Sequence, residues 1–512
     1  MVNPARLVAG IDLGSTGMKM LVTDEAGDVV SAAQVSTPWR SGPGGTTEMD
    51  AGALLTAVHD LIGTAARRAA EVTDAPIVAV ALAGMGETGM LIDANGVPVA
   101  PAYAWFDPRG AEQAAAFPPR IRADFAGRTG LPLGAQVSVA KLAYLRDQGR
   151  SLAGLRWLNL PEFVALSLGG RAVSEYSLAS RTGLLDQDTG LPWTDMLHHL
   201  GVDDSFLPPL VDAGTPLGVI GDMAMLEAAV AGAESVAGAA VAGAESVARA
   251  AGVGPDRAGA GRVQVSRGGA NRGGVTRGEL PDNVVGALLT VAGHDHLVAA
   301  EATGGLPGGH YHVSLGTAEV LLRVIDAPLG FEARGRLAEH LINEVRHVVP
   351  GKHVLVAGVK TGLLLRRVLQ SAGIHDRPGR DALDMAAMAL PYEGELPAGA
   401  IDVIGARNDD GVLHLTVRAD GVSPAEIFGA VLRHSNDEIA LLIEAMDREL
   451  PPATTSTITG GWAGMAAVRR AREKVLPAMT ASTREEETAY GATRVAARLL
   501  STPADAEPLP AR

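Results

Sequence analysis

The 512-residue sequence contains no cysteine. Disulfides, thiolate nucleophiles and Cys-bound iron–sulfur clusters are therefore excluded, and the chain suits a reducing compartment such as the cytoplasm. No run of about 18 apolar residues is free of charge or glycine, so no membrane-spanning helix is expected. The start of the chain lacks the pattern of a secretory signal, because its first apolar run begins at Leu7 and meets a carboxylate at Asp12. Positive charge is also in deficit. There are 43 Lys and Arg against 58 Asp and Glu, a formal net charge of −15. That balance argues against general binding to nucleic acid or anionic membranes, though not against a nucleotide, which needs only local donors.

What is present is an ordinary globular composition, 47% hydrophobic and 20% charged, long enough for two or more domains. The stretch Val8-Ala9-Gly10-Ile11-Asp12-Leu13-Gly14-Ser15-Thr16-Gly17-Met18-Lys19 organises the first part. Apolar runs flank a turn of small residues, which predicts a β-hairpin. Gly14 and Gly17 let backbone N–H groups approach a phosphate, and Ser15 and Thr16 add hydroxyl donors. Asp12 is suited to hold Mg²⁺ through water. A plain tight hairpin with a buried Asp is the other reading. The Gly-x-x-x-x-Gly-Lys-Ser/Thr pattern is missing here.

Further along, Asp50 is an expected N-cap for a helix through Glu71, and Ile77–Ala83 is a buried strand. Strands around a helix suggest an α/β domain with a mixed sheet. In Trp105-Phe106-Asp107-Pro108-Arg109, a Trp face with a carboxylate and a guanidinium offers a platform for a polyhydroxylated ligand; a core Trp beside an ion pair is the alternative. Residues 222–282 break the pattern. Ala-Ala-Val-Ala-Gly-Ala-Glu-Ser-Val-Ala occurs from Ala228 to Ala237 and again from Ala239 to Ala248; Gly- and Arg-rich sequence follows, with Arg257, Arg262, Arg267, Arg272 and Arg277. This segment reads as a solvent-exposed insertion or as an RNA- or membrane-contacting arm. The expected division is 1–221, 222–282 and 283–512.

Gly293-His294-Asp295-His296 follows an apolar strand and precedes a helical pattern. Asp295 there serves either as a general base facing a cleft or as a helix N-cap. His294, His296, His310 and His312 form two close pairs, for which a zinc site is one reading. Ser314-Leu315-Gly316-Thr317 repeats the strand–turn–strand design of the opening. Two such hairpins suggest two related domains facing one nucleotide across a cleft. Ile458-Thr459-Gly460-Gly461-Trp462 is strand, glycine turn and helix, bare enough to lie against an adenine or a phosphate, or simply a close packing point.

In this order the motifs resemble those of the FGGY carbohydrate kinases, which include glycerol, xylulose, ribulose and erythritol kinases. Trp105-Phe106-Asp107-Pro108-Arg109 is similar to their Trp-x-Asp-x-Arg segment, and Lys141-Leu142-Ala143-Tyr144 to their Lys-Leu-x-Trp signature with Tyr for Trp. The resemblance implies an α/β fold of two ribonuclease H-like domains of the actin and hexokinase superfamily, flanking a catalytic cleft. It implies ATP and Mg²⁺ as cofactors, Asp295 as catalytic base, and Asp12 and Asp295 near the metal. Gly14, Ser15, Thr16, Lys19, Gly316, Thr317, Gly460 and Gly461 are the implied ATP contacts. Glu87, Trp105, Asp107, Arg109, Gln136, Asp295 and His296 are the implied substrate contacts. The expected activity is phosphorylation of a primary hydroxyl of a small sugar or polyol, with no nucleic acid or membrane partner and a homodimer left open. A sugar-binding sensor without catalysis and an actin-like or chaperone-like ATPase scaffold are the competing readings. Glycerol kinases carry Glu where this chain has Glu87, but the Arg that precedes it in them is Gly86 here.

Overall fold

The computed structural model describes residues 6–221, 279–302, 308–405, 412–482 and 486–501. Residues 222–278, which hold the repeats and the arginine series, lie outside the described residues.

Two six-stranded sheets carry the fold. The first contains β1 (Leu7–Leu13), β2 (Gly17–Asp24), β3 (Val29–Ser36), β4 (Ile77–Gly84), β5 (Gly218–Val219) and β6 (Leu288–His294), in the order β5-β6-β4-β1-β2-β3. The second contains β7 (His310–Leu315), β8 (Glu319–Ile325), β9 (Asn343–Arg346), β10 (His353–Val359), β11 (Thr455–Thr459) and β12 (Met479–Ala481), in the order β9-β10-β8-β7-β11-β12. The design repeats. β1 and β7 each open an antiparallel hairpin, and each runs parallel to a later strand, β4 or β11. That strand is in turn parallel to β6 or β12. The two opening hairpins thus head two units of the same topology, the mixed α/β arrangement expected.

The apolar sequence dictates which strands are central. β1 and β4 are buried on both faces, as parallel strands covered by helices are. Helix α1 (Ala51–Ala70) starts where Asp50 accepts hydrogen bonds from the Gly52 and Ala53 amides. It buries Leu54, Val58, Leu61, Ile62 and Ala65 and packs on β2 and β3. Helix α2 spans Ser138–Asp147 and α3 spans Asp295–Ala302. Helix α4 (Thr361–Ser371) and the long α5 (Pro424–Asp447) pack together beside the second sheet, followed by α6 (Ala466–Arg472) and α7 (Glu487–Leu499).

The sheets cut across the expected division at residue 283. β6 and α3 belong with the first sheet, and α7 returns from the end of the chain to cover β1, β4 and α3. The reason is a backbone-close fit. A Cβ on Gly10 would lie 2.0 Å from the Ala489 carbonyl oxygen, and one on Gly491 would lie 2.3 Å from that of Val298. Linear position therefore does not assign a segment to a sheet; the pairing of β6 with β4 does.

Candidate active site

β1 and β6 end at the same edge of the first sheet, and each delivers a carboxylate there. Asp12 is the penultimate residue of β1, and Asp295 follows β6 directly at the head of α3. The backbone turns sharply before Asp295, with Gly293 in the left-handed region at φ 110°. A side chain at that glycine would strike Ser177 Oγ at 2.6 Å. Ser177 Oγ accepts from the His294 amide at 3.0 Å and donates to Glu175 Oε2 at 2.5 Å. Glu175 is held in turn through its own amide by Glu162 Oε1 at 2.7 Å. A buried chain of polar groups thus fixes the strand end that carries Asp295.

The two carboxylates are driven apart in acidity. Burial first, and then the charge of Asp295, pushes Asp12 up to about 8. Burial also acts to raise the pKa of Asp295, but His296, His294, the His296 amide and Arg181 outweigh it, so the pKa is held below the ordinary carboxylate value. The His296 amide donates to Asp295 Oδ1 at 2.7 Å. Asp295 is therefore the charged partner, and a pair separated in this way supplies one base and one group awaiting a cation. Asp12 Oδ1 is buried and has no hydrogen-bond partner. That orphaned oxygen beside a second carboxylate fits Mg²⁺, which keeps several waters and takes few protein ligands.

The four histidines do not assemble as a zinc site. Among the described residues no group of three or more His, Asp and Glu side chains is placed to hold a metal ion. Burial draws His294 down to about 3, with the charge of Asp295 opposing. His310 and His312 belong to β7, where His310 Nδ1 meets Thr455 Oγ1 at 2.8 Å.

Glu87 is buried, and its backbone is left-handed at φ 59°, a conformation that costs a non-glycine residue about 1 kcal/mol or more. Its partner is a residue the sequence reading missed: Arg181 Nε donates to Glu87 Oε1 at 2.6 Å. Arg181 and His294 close over Gly86, where a Cβ would lie 2.8 Å from Arg181 Cγ and 3.0 Å from His294 Cδ2. Arg181 Nη1 is buried without a partner. Burial raises the pKa of Glu87, with Arg181 opposing. No local signal marked Arg181; only the fold brings it to Gly86.

In the Trp105–Arg109 segment the carboxylate and the guanidinium pair with each other. Asp107 is fully buried and accepts from the Thr47 amide at 2.6 Å, the Arg109 amide at 2.8 Å and Arg109 Nη2 at 2.6 Å. Arg109 Nη1 also donates to Glu48 Oε2 at 2.9 Å. These two side chains are engaged with each other and with the 47–48 backbone and side chain, and so hold the shape of the loop. The turn at Asp-Pro-Arg folds them together. Buried Lys141 on α2 clamps the same loop by donating to the Arg109 carbonyl at 2.7 Å and to that of Asp107. Trp105 remains partly open, and the Lys360 ammonium of the second unit stands 5.0 Å from its ring centroid. Gln136 is partly exposed in the loop before α2.

The nucleotide candidates lie on three turns. The Gly14 and Ser15 carbonyls are held from behind by Thr37 Oγ1 and Trp39 Nε1, both at 2.7 Å. Thr16 is exposed at the tip. Lys19, directly across from Asp12 in the β1–β2 register, pairs with Glu486 at 2.6 Å. Gly316 and Thr317 follow β7, and Gly460 and Gly461 follow its parallel neighbour β11. Gly460 is left-handed at φ 88° and packs on the Leu315 backbone.

Residues 7–247 match the N-terminal domain of the FGGY family of carbohydrate kinases. A glycerol kinase of Acidiphilium cryptum is 31% identical over 244 residues, 44% of this chain and 48% of that protein. A xylulose kinase of Streptomyces rubiginosus is 30% identical over 223 residues, covering 42% and 44%. The chain thus spans about half the length of the curated relatives it matches. The crystal structure of a xyloylose kinase from Brucella ovis superposes with a TM-score of 0.74 at 20% identity, covering 97% of this chain and 91% of that one. Plasmodium falciparum glycerol kinase with ADP gives 0.74 at 14% identity, covering 97% and 90%. Over residues 7–247 the chain is thus similar to the N-terminal domain of the FGGY family of carbohydrate kinases, and over 97% of its length it shares the fold of these solved kinases.

Proposed function

We propose that this protein transfers the γ-phosphoryl group of ATP to a primary hydroxyl of a small neutral sugar or polyol, such as a ketopentose or a tetritol. The observation that carries the reading is the placement of Asp12 and Asp295 at one sheet edge with separated acidities. Asp295, kept ionised, accepts the proton of the substrate hydroxyl; the freed oxygen attacks the γ-phosphorus, and the bond to the ADP oxygen breaks. The Gly14–Thr16 and Gly316–Thr317 turns supply donors to the phosphates, and Gly460–Gly461 the flat surface for adenosine. Asp12 would hold Mg²⁺, which would supply positive charge to the phosphates. Glu87, Arg181, His296, Gln136 and Trp105 line the sugar side. Glu87 with Arg181 is a neutral pair offering both an acceptor and the unpartnered Nη1 donor, which suits hydroxyls better than a sugar acid.

The test is ADP release over a panel of glycerol, tetritols, pentitols, tetruloses, pentuloses and aldonates, beside Asp295→Asn. Turnover on one neutral member, reduced about 10²-fold or more in the variant, is expected. ATP binding without turnover on any member would favour the sensor or scaffold reading. The reaction, if in the cytoplasm, has its ATP at hand; among the described residues no helix is long and apolar enough to cross a membrane.

A further inference from the structure

Glu319 and Arg472 form an ion pair with no solvent exposure on either side chain. The pair is bidentate: Arg472 Nε donates to Glu319 Oε1 and Nη2 to Oε2, both at 2.6 Å. Nη2 also donates to Ser435 Oγ at 3.0 Å, and Nη1 to Asn436 Oδ1. Asn436 Nδ2 donates to the Ala471 carbonyl at 2.7 Å and to Tyr392 Oη at 2.8 Å. Three elements are tied at one point. Glu319 opens β8, two residues past Thr317; Arg472 ends α6, the helix that follows the Gly460–Gly461 turn; Ser435 and Asn436 lie inside α5.

A pair this deeply buried adds little net stability over apolar residues of the same volume, because two charges must be stripped of water. What it supplies is a fixed geometry, since the guanidinium fork and the carboxylate meet in one orientation only. That geometry links the two turns on which a nucleotide would rest. They leave adjacent parallel strands, with Ser314 in register with Thr459. The Trp462 amide donates to the Leu315 carbonyl at 3.3 Å, and a Cβ on Gly362 of α4 would lie 1.9 Å from the Gly316 carbonyl oxygen. The glycine turns are therefore locked on their near side by backbone contact and on their far side by Arg472.

We infer that Glu319 and Arg472 are positioning residues for the nucleotide: they set the spacing between the Gly316–Thr317 phosphate turn and the Gly460–Gly461 turn. The inference rests on the ATP reading of those turns. The decisive variant is the double substitution Glu319→Leu with Arg472→Met, which removes both charges while keeping a filled core. Its unfolding midpoint is expected to stay close to that of the wild type. The dissociation constant for ADP, by calorimetry, and KM for ATP are each expected to rise about tenfold, with KM for the sugar within twofold. Arg472→Lys keeps the charge but loses the fork, and is expected to give a smaller rise in the same two constants. ADP affinity equal to wild type in the double variant overturns the inference. So does a fall in kcat and sugar affinity in proportion to lost stability, in either variant, since that marks a merely structural pair. Failure of the wild-type protein to bind ADP or ATP overturns the nucleotide reading itself, and with it this inference.

Discussion

Arg181 Nε lies 2.6 Å from Glu87 Oε1, a hydrogen bond between residues 94 positions apart whose two charges both act on Asp295 or are acted on by it. Both side chains are nearly buried, at 11% and 9% exposure, so the pair acts in a poorly screened setting. Arg181→Lys keeps the charge and gives up the fork and the spare Nη1 donor. KM for the sugar is expected to rise about tenfold, equivalent to one charge-assisted hydrogen bond of ~1.5 kcal/mol, with KM for ATP unchanged. Arg181→Met leaves Glu87 buried and unpaired and is expected to cost about 3 kcal/mol of stability, read by urea unfolding.

The two glycines after β11 make opposite predictions. Gly460 has φ 88°, and a Cβ there would lie 2.7 Å from the Leu315 carbonyl oxygen. Gly460→Ala is therefore expected to lower stability by about 2 kcal/mol and to weaken ADP binding with it. Gly461 has open space around its Cα. Gly461→Ala is expected to leave the unfolding midpoint within about 0.5 kcal/mol of wild type, as substitutions at open positions do, while KM for ATP rises because the bound base comes against the new methyl. Calorimetric ADP binding beside thermal unfolding separates the two.

How much of this was legible in the sequence follows from what is local. The opening hairpin, the Asp50 cap and the strand–Gly–Asp–helix junction at Asp295 are written in neighbouring residues, where turn chemistry and hydrophobic period operate. Arg181, the Glu175–Ser177 support of His294 and the Glu319–Arg472 pair are not, because each meets its partner only after the sheets form. For Asp107 and Arg109 the sequence offered both a ligand platform and an ion pair, and the turn folds one side chain onto the other as the second reading has it. The return of α7 onto β1 likewise depends on Gly10 and Gly491 meeting backbone, which no periodicity announces.

Asp12 illustrates function set against stability. Its pKa is pushed up to about 8 by burial and by Asp295, and Oδ1 has no partner. Asp12→Asn removes a buried carboxyl that folding keeps protonated and unfolding lets ionise. The metal-free variant is expected to be more stable than wild type by about 1 kcal/mol, as is common when a site is relieved of its functional strain. Turnover should fall about 10²-fold or more, as when a charge-stabilising group is lost. Raising Mg²⁺ should restore little of it. A variant both less stable and fully active would contradict this placement of Asp12.

His347 gives a pH signature away from the carboxylates. It is buried at 4% exposure in the turn between β9 and β10, and its Nδ1 accepts from the Val349 amide at 3.1 Å. Burial first, then Lys352, draws it down to about 4. A histidine depressed from 6.5 to about 4 stays neutral in the folded state while the unfolded chain takes up its proton. Its contribution is therefore complete above the unfolded value and is lost as pH falls through that window, at up to about 1.4 kcal/mol per pH unit. Glu162 and Glu175, raised by burial to about 8 and about 7, act in the opposite sense above pH 4.5, where the folded state holds the extra proton. They do so equally in wild type and in His347→Gln, so the difference between the two proteins isolates the histidine. Urea midpoints at pH 7.5 and 5.0 should show the variant less stable at the higher pH, through lost packing, and losing less on acidification. Parallel pH profiles would mean that His347 takes up its proton in the folded state, which the Val349 amide pointing at Nδ1 opposes.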